Sequence, residues 1–94
     1  MKKGTTESLP SLRRRIDVID RQIVRLFALR QEISRVIVSV KQAHHIAIED
    51  PNREQTIVKR LEDQGRRLGV RKTFLGRIMR LIMAESKRIQ KANT

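Results

Sequence analysis

The sequence predicts an all-α fold with three helices per chain, one long, one short and one of medium length. Apolar residues recur at spacings of three, four and seven, the period of an amphipathic helix, and no segment alternates as a strand does. Proline and glycine interrupt this pattern at only a few places, which separates three helical segments. A chain of 94 residues buries only about 60 to 65% of its unfolded surface. A lone monomer would therefore be marginally stable, and help from a second copy is expected.

The first helix is predicted from Leu9 to about His44, because after Pro10 neither proline nor glycine interrupts the segment. A helix of about 33 residues is roughly 50 Å long, whereas a globule of this size is roughly 25 to 30 Å across. The far end must therefore pack on another surface, most simply a second copy of the chain. The apolar stripe along this helix consists of Leu12, Ile16, Ile19, Ile23, Leu26, Ile33, Ile37 and Val40.

The second helix is predicted to begin at Asp50 and Pro51, since aspartate is a favoured N-cap and proline a favoured first helical residue. It is expected to end in the 65–69 region, with Gly69 as the C-terminal stop. The third helix is predicted over about residues 72–91. The apolar residues expected to face inward are Ile57, Val58, Leu61 and Leu68 in the second helix and Phe74, Leu75, Ile78, Met79, Ile82 and Ile89 in the third.

The first residues of the chain are polar, and residues 1–8 are expected to form a flexible N-terminus ahead of a single domain at residues 9–94. Met1, Lys2 and Lys3 are not followed by an apolar stretch, so we expect neither a signal peptide nor a membrane anchor. The protein is therefore expected in the cytoplasm, without a membrane partner.

Composition excludes several classes of function. The chain has no cysteine, which removes thiolate metal ligands and cysteine nucleophiles. On a helix the adjacent His44 and His45 would point about 100° apart, so no metal site is expected. Lys plus Arg number 22 against 10 Asp plus Glu, a net charge of +12 that indicates an anionic ligand or partner. With two phenylalanines and no Tyr or Trp, base-stacking surfaces are nearly excluded, and we expect no specific nucleic-acid partner.

Polar residues on the apolar face of each helix point to a binding site. Measured from Leu12 at about 100° per residue, Arg30 falls at about 0° and Lys41 at about 20°. When the angle is measured within each of the other helices, polar residues also fall on the apolar face. They are Glu54 in the second helix and Ser86 and Gln90 in the third. Glu54 alone cannot balance the inward cations and nearby Arg53, so a bound anion is expected, although a structural ion pair or snorkelling would explain any single residue.

These positions carry a resemblance to a known family. The matching segments are Leu12 to Asp20 (LRRRIDVID), Leu29-Arg30, Lys41, Asp50 to Glu54 (DPNRE), and Glu85-Ser86 with Gln90. They resemble the all-helical, AroQ-type chorismate mutases over about residues 9–91. The resemblance implies an intertwined homodimer that rearranges chorismate to prephenate, in phenylalanine and tyrosine biosynthesis, without a cofactor.

The resemblance also implies a role for each matched residue. Arg13 would cross the dimer to the partner's site, and Arg30 would bind a substrate carboxylate within its own subunit. Lys41 would contact a carboxylate and the ether oxygen whose bond breaks, and Gln90 would be the second donor to that oxygen. These four are the implied catalytic residues. The further implied substrate contacts are Asp50, in part through its backbone, and Glu54 at the ring hydroxyl, Arg53 as another active-site arginine, and Ser86 at a carboxylate.

Three other interpretations stay open. Isochorismate-pyruvate lyases share the fold and a similar set of Arg, Lys and Gln residues, but the position of Glu54 is typically apolar in them. A non-catalytic basic helical dimer would explain the net charge but not the inward cations. A module that docks on a larger enzyme of aromatic biosynthesis could use the Lys/Arg-rich stretches 66–72 and 87–91.

Overall fold

The computed structural model describes residues 6–94, which form the helices α1 (Leu9–Ala43), α2 (Pro51–Arg67) and α3 (Lys72–Ala92). No strand occurs in that range. The helices contain 35, 17 and 21 residues, which confirms the predicted all-α class and the order long, short, medium. Most of the predicted flexible N-terminus, residues 1–5, lies outside the described residues.

The chain divides into two compact units, one ending at Arg30 and the other spanning Gln31–Thr94. α1 contributes its first part to one unit and its last part to the other. The single domain expected at residues 9–94 stays a prediction.

In the first unit, Glu7 and Ser8 hold the start of α1. Ser8 is the N-cap, since its Oγ accepts a hydrogen bond from the backbone N of Ser11 at 3.2 Å. The Ser8 carbonyl accepts the first helical bond, from Leu12 N at 3.0 Å. The Glu7 carboxylate accepts a hydrogen bond from Arg15 Nη1 at 2.6 Å. Two residues of the predicted flexible N-terminus therefore contact the helix.

The apolar stripe of α1 is exposed in the first unit. Ile16, Ile19 and Leu26 are 56%, 50% and 61% exposed in the single chain. An amphipathic helix is stabilised chiefly by burial of its apolar face, so this part of α1 needs a further surface to pack on.

In the second unit, α2 and α3 pack on each other. Gly65 lies where they approach, because a Cβ atom at this position would stand 2.5 Å from Leu75 Cδ2. Glycine therefore permits the close contact between the two helices. The buried apolar residues of the described chain are Val38, Val58, Met83 and Ile89.

Two helices end in left-handed backbone. At the end of α1, His45 has a φ of 56°, and the next amide, Ile46 N, donates to Lys41 O at 2.8 Å. This is the arrangement in which glycine usually follows a helix. After α2, Gly69 has a φ of 80°, which confirms it as the predicted C-terminal stop.

Two apolar residues that were predicted to face inward are exposed instead. Leu68, 72% exposed, is the C-cap residue beyond Arg67, so the apolar stripe of α2 does not extend to it. Phe74, 48% exposed, lies in the first turn of α3, whose buried residues begin at Gly76.

Candidate active site

The predicted site residues are distributed over both units. Arg13 and Arg30 lie on the first part of α1. Arg13 is exposed and Arg30 is half-buried, and within residues 6–94 neither arginine forms an ion pair. The predicted site residues of the second unit are Lys41 in the last turn of α1, Asp50, Arg53 and Glu54 around the start of α2, and Ser86 and Gln90 on α3.

Lys41 is held by the loop that follows α1. Its side chain is half-buried, and its Nζ donates a hydrogen bond to the backbone carbonyl of Ile48 at 2.7 Å. An ammonium group has three donors, so two remain for other acceptors. The lysine is thus fixed in place while it keeps donors for an anion.

Asp50 caps α2, as the sequence predicts. Its Oδ1 accepts a hydrogen bond from Arg53 N at 3.0 Å, and Glu54 N donates to the Asp50 carbonyl at 3.0 Å. Pro51 follows as the first helical residue. The cap places Glu54 in the first turn of α2, half-buried, while Arg53 is exposed.

Glu54 faces a lysine that the sequence analysis did not select. Lys87 Nζ lies 3.4 Å from Glu54 Oε1 and 3.9 Å from Glu49 Oε1. The Lys87 and Glu54 side chains are 31% and 29% exposed. This ion pair joins the first turn of α2 to the half of α3 that carries Ser86 and Gln90.

The other cations of the 87–91 stretch are paired as well. Lys91 Nζ lies 3.8 Å from Glu49 Oε1. Arg88 donates two hydrogen bonds to the Glu85 carboxylate, at 2.9 and 2.7 Å. The bonds from Arg88 hold the pKa of Glu85 below its ordinary value, and Glu85 raises the pKa of Arg88. Carboxylates therefore satisfy the cations that a docking surface would present, and docking through this stretch stays a prediction.

Ser86 makes a hydrogen bond to a buried serine of α1. Ser86 Oγ and Ser34 Oγ are 2.5 Å apart, and Ser34 is only 3% exposed. Ser34 is not among the residues predicted from the sequence, although its position on the helix carries a signal. Ser34 falls about 40° from Leu12 on the helix, within the apolar stripe that also contains Arg30 and Lys41.

Gln90 is the most deeply buried of the predicted site residues. It is 7% exposed, and its Oε1 accepts no hydrogen bond within residues 6–94. A buried acceptor without a donor costs free energy, roughly 1 to 3 kcal/mol. Such a group is unusual in a folded interior and calls for a donor from outside the described chain.

Two kinds of feature are absent from the described part of the chain, a metal-ligand cluster and a membrane-spanning helix. No cluster of three or more His, Cys, Asp or Glu residues within residues 6–94 has the geometry to hold a metal ion. Across the same residues, no helix is both long and apolar enough to cross a membrane.

This chain is similar to one family model and to two known proteins. A family model described as "Chorismate mutase type II" matches residues 12–91. The chorismate mutase of Methanocaldococcus jannaschii is 29% identical over 85 residues, which cover 90% of this chain and 86% of that protein. The T-protein of Haemophilus influenzae is 31% identical over 80 residues, which cover 85% of this chain but only 21% of that protein.

Proposed function

Because this chain belongs to the type II chorismate mutase family, we propose that it rearranges chorismate to prephenate at a site that contains the eight residues selected from the sequence. It is an isomerase of aromatic amino acid biosynthesis. The observation that carries the proposal is the family match over residues 12–91, which includes every one of these residues. The half-buried Lys41 and the buried Gln90 support their assignment to the site.

The rearrangement needs positioning and charge stabilisation rather than a reactive side chain. Chorismate carries two carboxylates, a hydroxyl and an enolpyruvyl ether, and its pericyclic shift breaks one carbon–oxygen bond while a carbon–carbon bond forms. The site must hold the conformer in which the two reacting carbons meet. It must also place donors at the ether oxygen, where negative charge grows in the transition state.

Lys41 and Gln90 are the proposed donors to the ether oxygen. Lys41 Nζ keeps two donors after its bond to Ile48 O, and that bond holds the ammonium in one place before substrate arrives. The Gln90 amide donates from a buried position, where a hydrogen bond to developing charge is stronger than in water. Since Gln90 is neutral, this donor imposes no acid requirement on the rate.

The remaining proposed contacts bind the carboxylates and the ring hydroxyl of the substrate. Arg30 and Ser86 bind carboxylate, and Arg53 adds positive charge. Asp50 is proposed to contact the ring hydroxyl, in part through its backbone, while its Oδ1 accepts from the backbone of α2. Glu54 binds Lys87 through Oε1, so its Oε2 is the oxygen proposed to accept from the ring hydroxyl.

The proposal includes an intertwined homodimer in which Arg13 reaches the partner's site. It is supported by the exposed apolar stripe of α1, which continues past the first unit through Ile33, Ile37 and Val40 at 52%, 40% and 51% exposure. Full burial of one such side chain contributes roughly 1.5 to 3 kcal/mol. The cytoplasmic location expected from the sequence stays a prediction.

The test is a spectroscopic assay of the purified protein with chorismate. Loss of the chorismate absorbance is followed, and acid treatment of the product identifies prephenate. We expect Lys41→Ala to lower kcat by about 100-fold to 1,000-fold, the usual effect of removing one transition-state donor. Lys59→Ala, which removes an exposed lysine of α2, is the matched control and should retain wild-type activity.

Two outcomes would contradict the proposal. Pyruvate release from isochorismate, without turnover of chorismate, would assign the chain to the lyase reaction. Inactivity with both substrates, together with no rise of the melting temperature in a dicarboxylate ligand, would leave a helical binding protein.

A further inference from the structure

Ser34 has the environment of a functional residue, although it is not among the residues that carry the resemblance. It is 3% exposed on α1, one turn before Val38, which is 1% exposed. Its Oγ lies 2.5 Å from Ser86 Oγ on α3, a short distance for a hydrogen bond between two hydroxyls. The buried Ser34 hydroxyl is therefore hydrogen-bonded to Ser86, which is one of the proposed contacts to a substrate carboxylate.

This arrangement differs from the usual behaviour of a hydroxyl on a helix. Helical serines and threonines commonly bond the carbonyl four residues earlier. Ser39 on α1 does so with Arg35 O at 3.4 Å, and Thr56 on α2 with Asn52 O at 2.9 Å. Ser34 reaches across to another helix instead. Its hydroxyl therefore helps to position α3 side chains rather than its own backbone.

The direction of the hydrogen bond decides what Ser86 offers to a ligand. Each hydroxyl has one proton, and a carboxylate oxygen only accepts. If Ser86 donated to Ser34, it would have no proton for a substrate carboxylate. If Ser34 donates to Ser86, the Ser86 proton is free, and the bond it receives also strengthens it as a donor.

We propose that Ser34 is a positioning residue of the chorismate site, which donates to Ser86 Oγ and so directs the Ser86 proton at a substrate carboxylate. The inference rests on the proposed function, because it requires that Ser86 contacts the substrate. Ser34 acts through Ser86 and touches no reacting atom. Its effect should therefore fall on substrate binding more than on the chemical step.

The test is a double-mutant cycle with chorismate as the probe. We expect Ser34→Ala to raise KM by about three- to ten-fold, the range of one lost hydrogen bond, with kcat within about two-fold of wild type. Ser86→Ala should raise KM at least as much, and the double variant should be no worse than Ser86→Ala alone. Ser39→Ala, at an exposed serine on the same helix, should leave KM unchanged.

The outcomes separate a positioning role from a merely structural one. If Ser34 were merely structural, Ser34→Ala would lower the melting temperature, and its effect on KM would not depend on whether Ser86 is present. Additive effects on KM, an unchanged KM in Ser34→Ala, or a loss confined to kcat would each overturn the inference. With an active wild type, those results leave the proposed function standing. A wild type inactive with chorismate would overturn both.

Discussion

The two units of the chain use their apolar side chains differently. In the first unit, Ile16, Ile19 and Leu26 are at least half exposed, whereas α2 and α3 bury Val58 and Met83 between them. The second unit thus has a core of its own, and the first has an apolar face without one. Helix formation alone therefore does not explain the first unit, which requires burial against another surface.

The proposed site shows the same difference. Lys41, Asp50, Glu54 and Ser86 in the second unit each have a hydrogen-bond or ion-pair partner within the described chain. Within residues 6–94, the side chains of Arg13 and Arg30 in the first unit have no such partner. These four proposed contacts of the second unit are therefore held by the chain itself, while the two proposed arginines of the first unit are free to meet substrate or a second copy.

The largest effect is expected from a charge placed on the exposed stripe. Ile19→Glu should dissociate the proposed dimer and unfold most of the protein, because each copy would bury a carboxylate without a partner, at a cost of several kcal/mol. Sedimentation and thermal melting would measure both effects. Val24→Glu is the control, since Val24 is 65% exposed and lies about 120° from Leu12, off the stripe. Equal behaviour of the two variants would contradict burial of the stripe.

Replacement of Gln90 tests the proposed transition-state donor in the second unit. Gln90→Leu should lower kcat by about 100-fold to 1,000-fold, through loss of a transition-state donor. The free energy of unfolding should stay level or rise, because the change also removes the unpartnered Oε1. Chemical denaturation and the chorismate assay would be run on the same samples. Gln64→Leu, at an exposed glutamine of α2, should change neither quantity.

Mixing two inactive variants tests whether Arg13 serves the partner's site. If it does, refolding Arg13→Ala with Lys41→Ala should restore about a quarter of wild-type activity. Half of the dimers would be mixed, and each mixed dimer would have one intact site of two. If Arg13 served its own subunit, every site would lack one residue and activity would stay near that of the separate variants.

A smaller effect is expected from the ion pair that joins α2 to α3. Lys87→Ala should raise KM several-fold, since Glu54 loses the cation that holds its Oε1, and should destabilise the fold by at most about 1 kcal/mol. Lys91→Ala removes a more exposed lysine, 61% exposed, whose Nζ lies 3.8 Å from Glu49 Oε1. It should leave KM unchanged, and a rise equal to that in Lys87→Ala would contradict the role given to Lys87.

The smallest effect concerns pH. The hydrogen bonds from Arg88 lower the pKa of Glu85 from its ordinary value of 4.5. A carboxyl whose pKa is depressed by folding contributes stability above its unfolded pKa, and this contribution disappears as pH falls through the folded value. The melting temperatures of wild type and Glu85→Gln should therefore differ slightly at neutral pH and converge in acid. A difference that grew in acid would have the wrong sign.

The sequence was sufficient for the helices because local signals mark their ends. Asp50 caps the start of α2 and Pro51 is its first residue, while Gly69 adopts a positive φ just after its end. Each of these features depends on the type of a single residue. The position of Lys41 also followed from helical period. The prediction that Leu68 faces inward was wrong, because the helical period was applied beyond the last turn of α2.

Residues selected by tertiary contacts could not be found from one helix at a time. Lys87 lies on the flank of α3, and only the approach of Glu54 from α2 gives it a role. Ser34 was detectable as a polar residue in the stripe, but its partner Ser86 is 52 residues away in sequence. The helical period shows on which face of a helix a side chain lies. The residue that it contacts depends on how two helix faces pack together.

The turn at His45 links the end of α1 to the proposed ligand-binding residues that follow it. Lys41 is bonded to this turn twice, through its carbonyl to Ile46 N and through its ammonium to Ile48 O. Two hydrogen bonds therefore tie Lys41 to the segment that leads to Asp50, where α2 begins. A proposed substrate donor and the cap of α2 thus belong to one short segment, so an insertion or deletion in this loop should displace both.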